Sequence, residues 1–170
     1  MAKFFTADTH FGHAKIMEYC SRPFDSVKQM DEEMIRRWNS VVSEKDEVYH
    51  VGDFSFHNTA DSKKIRSLLH GKIYLIEGNH DGRNAGFEWI KPYYELKVEG
   101  QEIVLFHYGM RTWHHDLRGT WHLYGHSHGQ LPSYGKSMDV GVDCHGFTPL
   151  SYTQVERKLM GMAIADHPRF

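Results

Sequence analysis

A chain of 170 residues, 40% hydrophobic and 25% charged, has the balance of a soluble globular protein and enough length for one real core, so residues 1–170 are expected to form a single domain. A formal charge of −2 excludes a large basic field for long nucleic acid, and no apolar run is long enough to span a membrane. Cys20 and Cys144 share no metal-type spacing and make no disulfide framework, and the opening MAKFFTADTHFGH turns polar too soon for a signal peptide, so the cytoplasm is the expected compartment.

In chain order, strand-length apolar runs appear at 3–7, 47–51, 72–76, 94–98, 103–106, 121–124 and 138–142, most of them rich in Val, Ile, Phe and Tyr. A short helix is expected after His13, through Ile16 and Met17. From Ser26 to Val42, apolar Val27, Met30, Met34, Trp38, Val41 and Val42 recur at helical spacing, with Ser26 and Gln29 as a capping box. Asp61 to Leu69 reads as a third helix ended by Gly71. Glu95–Glu99 and Glu102–Phe106, joined across Gly100-Gln101, read as a hairpin. The last helix runs from Ser151 to Met162, opening with the capping pair Ser151 and Gln154. Strands alternating with helices, then a strand-rich half, predict an α/β fold with mixed sheets.

Histidine is the compositional outlier, with 14 residues. Many follow one rule. Phe4–Ala7 runs into Asp8-Thr9-His10, Val48–Val51 into Gly52-Asp53, and Ile73–Ile76 into Gly78-Asn79-His80-Asp81. Ile103–Phe106 runs into His107, and His122–Tyr124 into Gly125-His126-Ser127-His128. Each buried strand delivers an Asp, Asn or His at its C-terminal end, where open α/β sheets bind ligands. Imidazole with carboxylate suits Zn, Mn, Fe, Co or Ni rather than the all-oxygen cages of Mg or Ca. Seven donors exceed one tetrahedral site and suit two ions sharing a carboxylate, about 3.5–4 Å apart, the usual clamp for displacement at phosphorus.

Asp8-x-His10, Gly52-Asp53, Gly78-Asn79-His80-Asp81, His107 and Gly125-His126-x-His128 resemble the ordered motif set of the calcineurin-like metallophosphoesterases across residues 8 to 128. The resemblance implies a four-layer αββα sandwich of two mixed β-sheets flanked by helices. It implies that Asp8, His10 and His128 bind a first divalent transition-metal ion, that Asn79, His107 and His126 bind a second, and that Asp53 bridges them. Manganese is the first choice, with zinc, iron, nickel or cobalt as alternatives. His80 would protonate the leaving oxygen and Asp81 would orient it. Two cations lower the pKa of a bridging water, and an imidazole free of metal titrates near neutral pH, so both ends of the reaction are provided for.

Residues outside the motifs are read on their own. His13 is a candidate substrate contact or a helix-start histidine. His145, after a late strand, is a further candidate to approach the site. His50, His57, His70, His122 and His167 read as solvated or packing residues, and Arg22 before Pro23 as structural. The segment 108–120 carries Arg111, His114, His115 and Arg118 beside Trp113. It suits an anionic substrate that also stacks, such as a nucleotide or short nucleic acid, and reads equally as a solvated loop with Trp113 packed inward. Arg83 and Asn84 are weaker versions of the same idea.

Asp53-Phe54-Ser55-Phe56 stands where the protein Ser/Thr phosphatases carry Asp-Tyr-Val-Asp-Arg-Gly, which argues against that branch. The compact length leaves no large cap domain. The expected function is therefore a small, open, metal-dependent phosphoesterase acting on a nucleotide or other small phosphodiester. A nuclease, a phosphomonoesterase and a non-catalytic scaffold on the same fold are the alternatives. The oligomeric state is not legible in the sequence.

Overall fold

A computed structural model describes residues 1–82 and 86–167. In chain order the elements are β1 (Lys3–Thr6), α1 (Ala14–Tyr19), α2 (Val27–Val41), β2 (Glu47–His50), α3 (Thr59–Leu68), β3 (Lys72–Ile76), β4 (Ile90–Lys91), β5 (Tyr93–Val98), β6 (Gln101–Phe106), β7 (Trp121–Tyr124), β8 (Ser137–Asp139), β9 (Leu150–Ser151) and α4 (Tyr152–Met160). Strands β1, β2 and β3 pair in parallel, with Lys3 opposite Glu47 and Glu47 opposite Lys72. Strand β4 extends this sheet in parallel and β9 closes its other edge antiparallel, giving the order β4-β3-β2-β1-β9. The second sheet runs β5-β6-β7-β8, antiparallel at the β5–β6 hairpin and parallel thereafter. Both sheets are mixed, as expected.

Period-two alternation sorts the core. Phe5, Tyr49, Val51 and Ile76 face Ile103, Leu105, Trp121 and Leu123 across the gap between the sheets. Their neighbours Phe4, Val48, Ile73 and Leu75 face Met30, Met34 and Trp38 of α2. Central strands buried on both faces explain why they read as unbroken apolar runs. Helix α4 puts Tyr152, Val155 and Leu159 into the inter-sheet core. The outer face of the second sheet, at Val104, is covered by Trp113 and Ala165 with Met110 and Tyr134. The covering segment there is a loop with a 3-10 turn at Asp116–Arg118, bounded on both sides by left-handed residues, His115 and Gly119.

The local readings shift at several ends. Ser26 Oγ accepts from Gln29 N, but Gln29 Oε1 reaches Asp25 N at 2.6 Å, so the first capping box is half formed. That of Ser151 and Gln154 is complete. Helix α3 begins at Thr59, earlier than expected, because Asn58 caps it. The hairpin turns at Glu99-Gly100 rather than Gly100-Gln101, since Val98 pairs with Gln101 and both turn residues take positive φ. The expected strand at 138–142 breaks after Asp139 into a bridge at Gly141 and a 3-10 turn. Strands β4 and β9, of two residues each, leave no pattern to read. Among the described residues no helix is long and apolar enough to cross a membrane.

Candidate metal centre

The parallel strands β1, β2 and β3 of one sheet and β6 and β7 of the other end side by side, and their exit loops are laced together. Asp8 N donates to Gly52 O at 2.9 Å, His10 N to Asp53 O at 3.0 Å, and Gly125 N to His107 O at 2.9 Å. His126 N donates to the Asp8 carboxylate at 2.9–3.0 Å. Asp8, His10, Asp53, His126 and His128 all adopt positive φ, between 46° and 65°. Non-glycine residues rarely sit there, and each costs about 1–3 kcal/mol unless its surroundings fix it. Five such residues in one cluster mark a strained site held by its frame. Gly125 permits the approach, since a Cβ there would fall 2.6 Å from Asp8 Oδ2.

Two groups of donors result. Asp8, His10 and His128 bring ligand atoms within 4.8 Å of one another, and so do Asp53, His107 and His126. Asp53 Oδ2 lies 3.6 Å from His10 Nε2 and 3.5 Å from His107 Nε2, within reach of an imidazole from each group. Asn79 Oδ1 lies 3.1 Å from His107 Nε2, beside the second group. The rings are oriented from behind. His107 Nδ1 sits 2.8 Å from Val51 O and His128 Nδ1 2.8 Å from Asp143 Oδ2, contacts that leave each Nε2 facing the site.

The electrostatics fit metal ions. Both ring nitrogens of His10 are buried with no hydrogen-bond partner, an arrangement a protein avoids unless a ligand serves them. Burial pushes His10 down to about 2, against the pull of Asp53, so the ring is a neutral donor. Burial pushes Asp8 up to about 7 against nearby His128 and His107. Burial alone would also raise Asp53, but the His107 contact and its neighbours hold it at about 2. Burial disfavours a charged His107, yet Asp53 and Asp8 raise it above the ordinary value. A cluster of dry carboxylates balanced by imidazoles, one of them orphaned, has the donor set and charge of a transition-metal site.

The other candidates fall differently. His80 has 42% of its side chain exposed and faces Asp53 Oδ2 at 4.0 Å. Asp81 was expected to orient that ring. Its carboxylate accepts from the backbone N–H groups of Asp53, Phe54 and Gly78 at 2.7–2.8 Å, which ties the two loops together. His13 lays its ring on Phe56, 5.4 Å from the His10 ring. Trp113 is packed inward with Nε1 donating to Thr120 O, and it presents no stacking face. His114 is engaged by Glu95 on the hairpin at 2.8 Å, His115 by Glu102, and Arg111 lies over the Tyr134 ring. Arg118 ends the 3-10 turn of that loop. His145 contacts Asp139 O and Lys158. His50 and His122 are fully buried packing residues. Arg83 and Asn84 lie outside the described residues.

Arg22 is structural, as the sequence suggested, while its partner Asp143 and the turn-shaping Asp139 escaped the sequence reading. Arg22, 4% exposed, donates to Thr9 O and Asp8 O and forks onto Asp143, tying one ligand turn to the carboxylate behind His128. Cys20, His128 and Asp143 also cluster, but Arg22 occupies both Asp143 oxygens and its charge opposes a cation there. Asp139 accepts from Ser127 Oγ and Gly129 N, shaping the His126–His128 turn. A cavity of about 550 Å³ opens beside the centre, lined by Ser55, Phe56, His57, Asn58, Asn79, His80 and Gly82.

The family model described as the calcineurin-like phosphoesterase superfamily domain matches residues 1–141. An uncharacterized protein of Methanocaldococcus jannaschii is 34% identical over 154 residues, 85% of this chain and 84% of that protein. The Gene 66 protein of Mycobacterium phage L5 is 36% identical over 81 residues, 46% of this chain and 39% of that protein. A solved Aquifex aeolicus protein of unknown function shares the fold, with a TM-score of 0.74 at 20% identity, covering 92% of this chain and 98% of that one.

Proposed function

This chain belongs to the calcineurin-like phosphoesterase superfamily and is a metal-dependent phosphoesterase, and from that premise we propose that it hydrolyses small phosphodiesters at a dinuclear centre with His80 as proton donor. The observation that carries the reading is Asp53 Oδ2, 3.6 Å from His10 Nε2 and 3.5 Å from His107 Nε2, so one carboxylate can serve both donor groups. Asp8, His10 and His128 would hold one ion and Asn79, His107 and His126 the other, with manganese the first choice for this mixed set. When bound, two such ions neutralise phosphoryl oxygens and supply an acidic water near neutral pH.

The chain's own residues do the rest. His80 lines the cavity beside Asp53 with its ring partly open, in reach of a leaving oxygen and not enclosed as a ligand. Asp81 and Arg22 hold the loops so that the donors need no rearrangement when substrate arrives. Space favours a diester, because the cavity of about 550 Å³ beside His80 has room for a second ester arm. With a formal charge of −2, a track for long nucleic acid is not supported.

The test is metal content together with turnover. Two Mn²⁺ should bind per chain, and a chromogenic phosphodiester should be hydrolysed with added Mn²⁺ but not by His80→Ala or Asp53→Asn. One ion per chain would refute the dinuclear centre, and full activity in both variants would refute the assigned site.

A further inference from the structure

The cavity's position decides which part of a substrate it takes. A general acid must come within hydrogen-bond distance of the leaving oxygen. Since His80 lines the cavity, the ester arm that departs lies on that side. The segment after β2 lines the cavity together with Asn79 and His80, and its Phe56 and His57 lie outside the core clusters.

Phe56 is 41% exposed, although its neighbours Phe54 and Phe11 are fully buried. One face rests on the His13 imidazole, with centroids 3.7 Å apart and planes within 12°, and its ring lies 4.5 Å from that of His80. A ring backed in this way is preorganised, so a planar partner loses little entropy by stacking on it. His57 is clamped as well. Its ring lies against Gly12, where a Cβ would fall 2.5 Å from it. Its Nε2 is 3.4 Å from Asp31 Oδ2, and buried Asp31 is held in turn by Gly12 N at 3.1 Å. The Nδ1 of His57 has no hydrogen-bond partner among the described residues. Asn58, by contrast, is spent on capping α3. A stacking face and a fixed hydrogen-bonding group, with no lysine or arginine among the described lining residues, suit a neutral heteroaromatic arm and not a second phosphate.

We infer that Phe56 and His57 form a leaving-group subsite for a nucleoside, with the base stacked on Phe56 and a polar atom of the arm bonded to His57, which Asp31 positions. The inference rests on the phosphodiesterase reading above and adds the identity of the departing arm.

The test compares two diesters of one nucleotide on the Mn²⁺-loaded chain, a dinucleoside monophosphate and the corresponding ethyl ester. Wild type should favour the dinucleoside in kcat/KM, and Phe56→Leu should lower that ratio about tenfold, as loss of one base-stacking contact implies. Phe56→Tyr should restore it, and His57→Ala should lower it further in combination. In a separate NMR titration, adenosine but not ribose should bind wild type, and Phe56→Leu should weaken it by a similar factor. An unchanged ratio in Phe56→Leu, with both diesters hydrolysed, overturns the subsite and leaves the phosphodiesterase reading standing. Hydrolysis of neither diester overturns that reading instead, and the adenosine titration then decides the subsite: no binding, or binding indifferent to Phe56→Leu, overturns it too.

Discussion

Arg22 closes on Asp143 with both arms of its guanidinium, Nε to Oδ1 at 2.8 Å and Nη2 to Oδ2 at 2.9 Å, across 121 residues of chain. The same group holds Thr9 O and Asp8 O, and Asp143 holds the His128 ring. One buried cation therefore aligns the donors Asp8 and His128, which come from opposite ends of the sequence. Arg22→Lys keeps the charge and loses the fork. Mn²⁺ affinity should fall about 10- to 100-fold, as for other residues that orient ligands, and Asp143→Asn should behave alike. Calorimetric titration checks this; wild-type affinity in both variants would contradict it.

His80 and Asp81 are adjacent and should fail in different ways. Asp81 satisfies three backbone N–H groups while 2% exposed, so Asp81→Asn should destabilise by about 2–4 kcal/mol and lower Mn²⁺ affinity as the Asp53 loop loosens. The His80 side chain is 42% exposed and its ring packs only against the Phe56 and His10 rings among the described ring contacts. His80→Ala should melt near wild type and bind Mn²⁺ normally, with kcat lower by about 10²–10⁴. Urea denaturation and turnover measured together separate the two roles.

Gly125 is a steric prediction. In Gly125→Ala the new methyl would meet Asp8 Oδ2 at 2.6 Å and Ala7 Cβ at 2.7 Å, in a region too strained to give way. The displaced carboxylate should reduce Mn²⁺ stoichiometry, read by elemental analysis after gel filtration, with far-UV circular dichroism unchanged. Full metal content in this variant would show that the frame is softer than argued.

Acid should unfold the metal-free chain through two buried histidines that are not among the proposed ligands. Burial pushes His50 down to about 3 and His122 down to about 4, the latter against its backbone hydrogen bonds. An unfolded imidazole titrates near ~6.5. The folded values lie below it, so the native state binds fewer protons; its stability is full above about pH 6.5 and falls as pH drops toward 4 and then 3. His50 alone contributes on the order of 4 kcal/mol across that window. Urea midpoints in EDTA at pH 7.5, 6, 5 and 4 should decline steadily, and His50→Gln should flatten the decline. A midpoint constant from pH 7.5 to 4 would contradict the assignment.

The parts of the site that could be read before the fold are those written locally. A buried strand, a sharp turn and a donor at its end form a unit of a few residues, as in Val48–Val51 with Gly52-Asp53, so strands and ligands appeared together. The partners of the supports were not legible. Arg22 and Asp143 share no period, and only folding brings them together. His57 read as a solvated or packing residue, because the clamp on it depends on Gly12 and Asp31. The loop 108–120 left two readings open for a related reason. Its composition suits a substrate, but Glu95 and Glu102 on the hairpin engage its imidazoles.

By itself the sequence determined the kind of chemistry, since only certain side chains bind transition metals and their order along the chain is plain. It did not determine, from residues alone, which donors act together. His126 and His128 are two positions apart, yet His126 groups with Asp53 and His107 while His128 groups with Asp8 and His10. Both residues take positive φ, at 65° and 46°, in a turn tied to Asp139 and to the Asp8 carboxylate. That conformation is imposed by β1 and β8 from outside the turn, and strain of this kind is a property of the assembled fold.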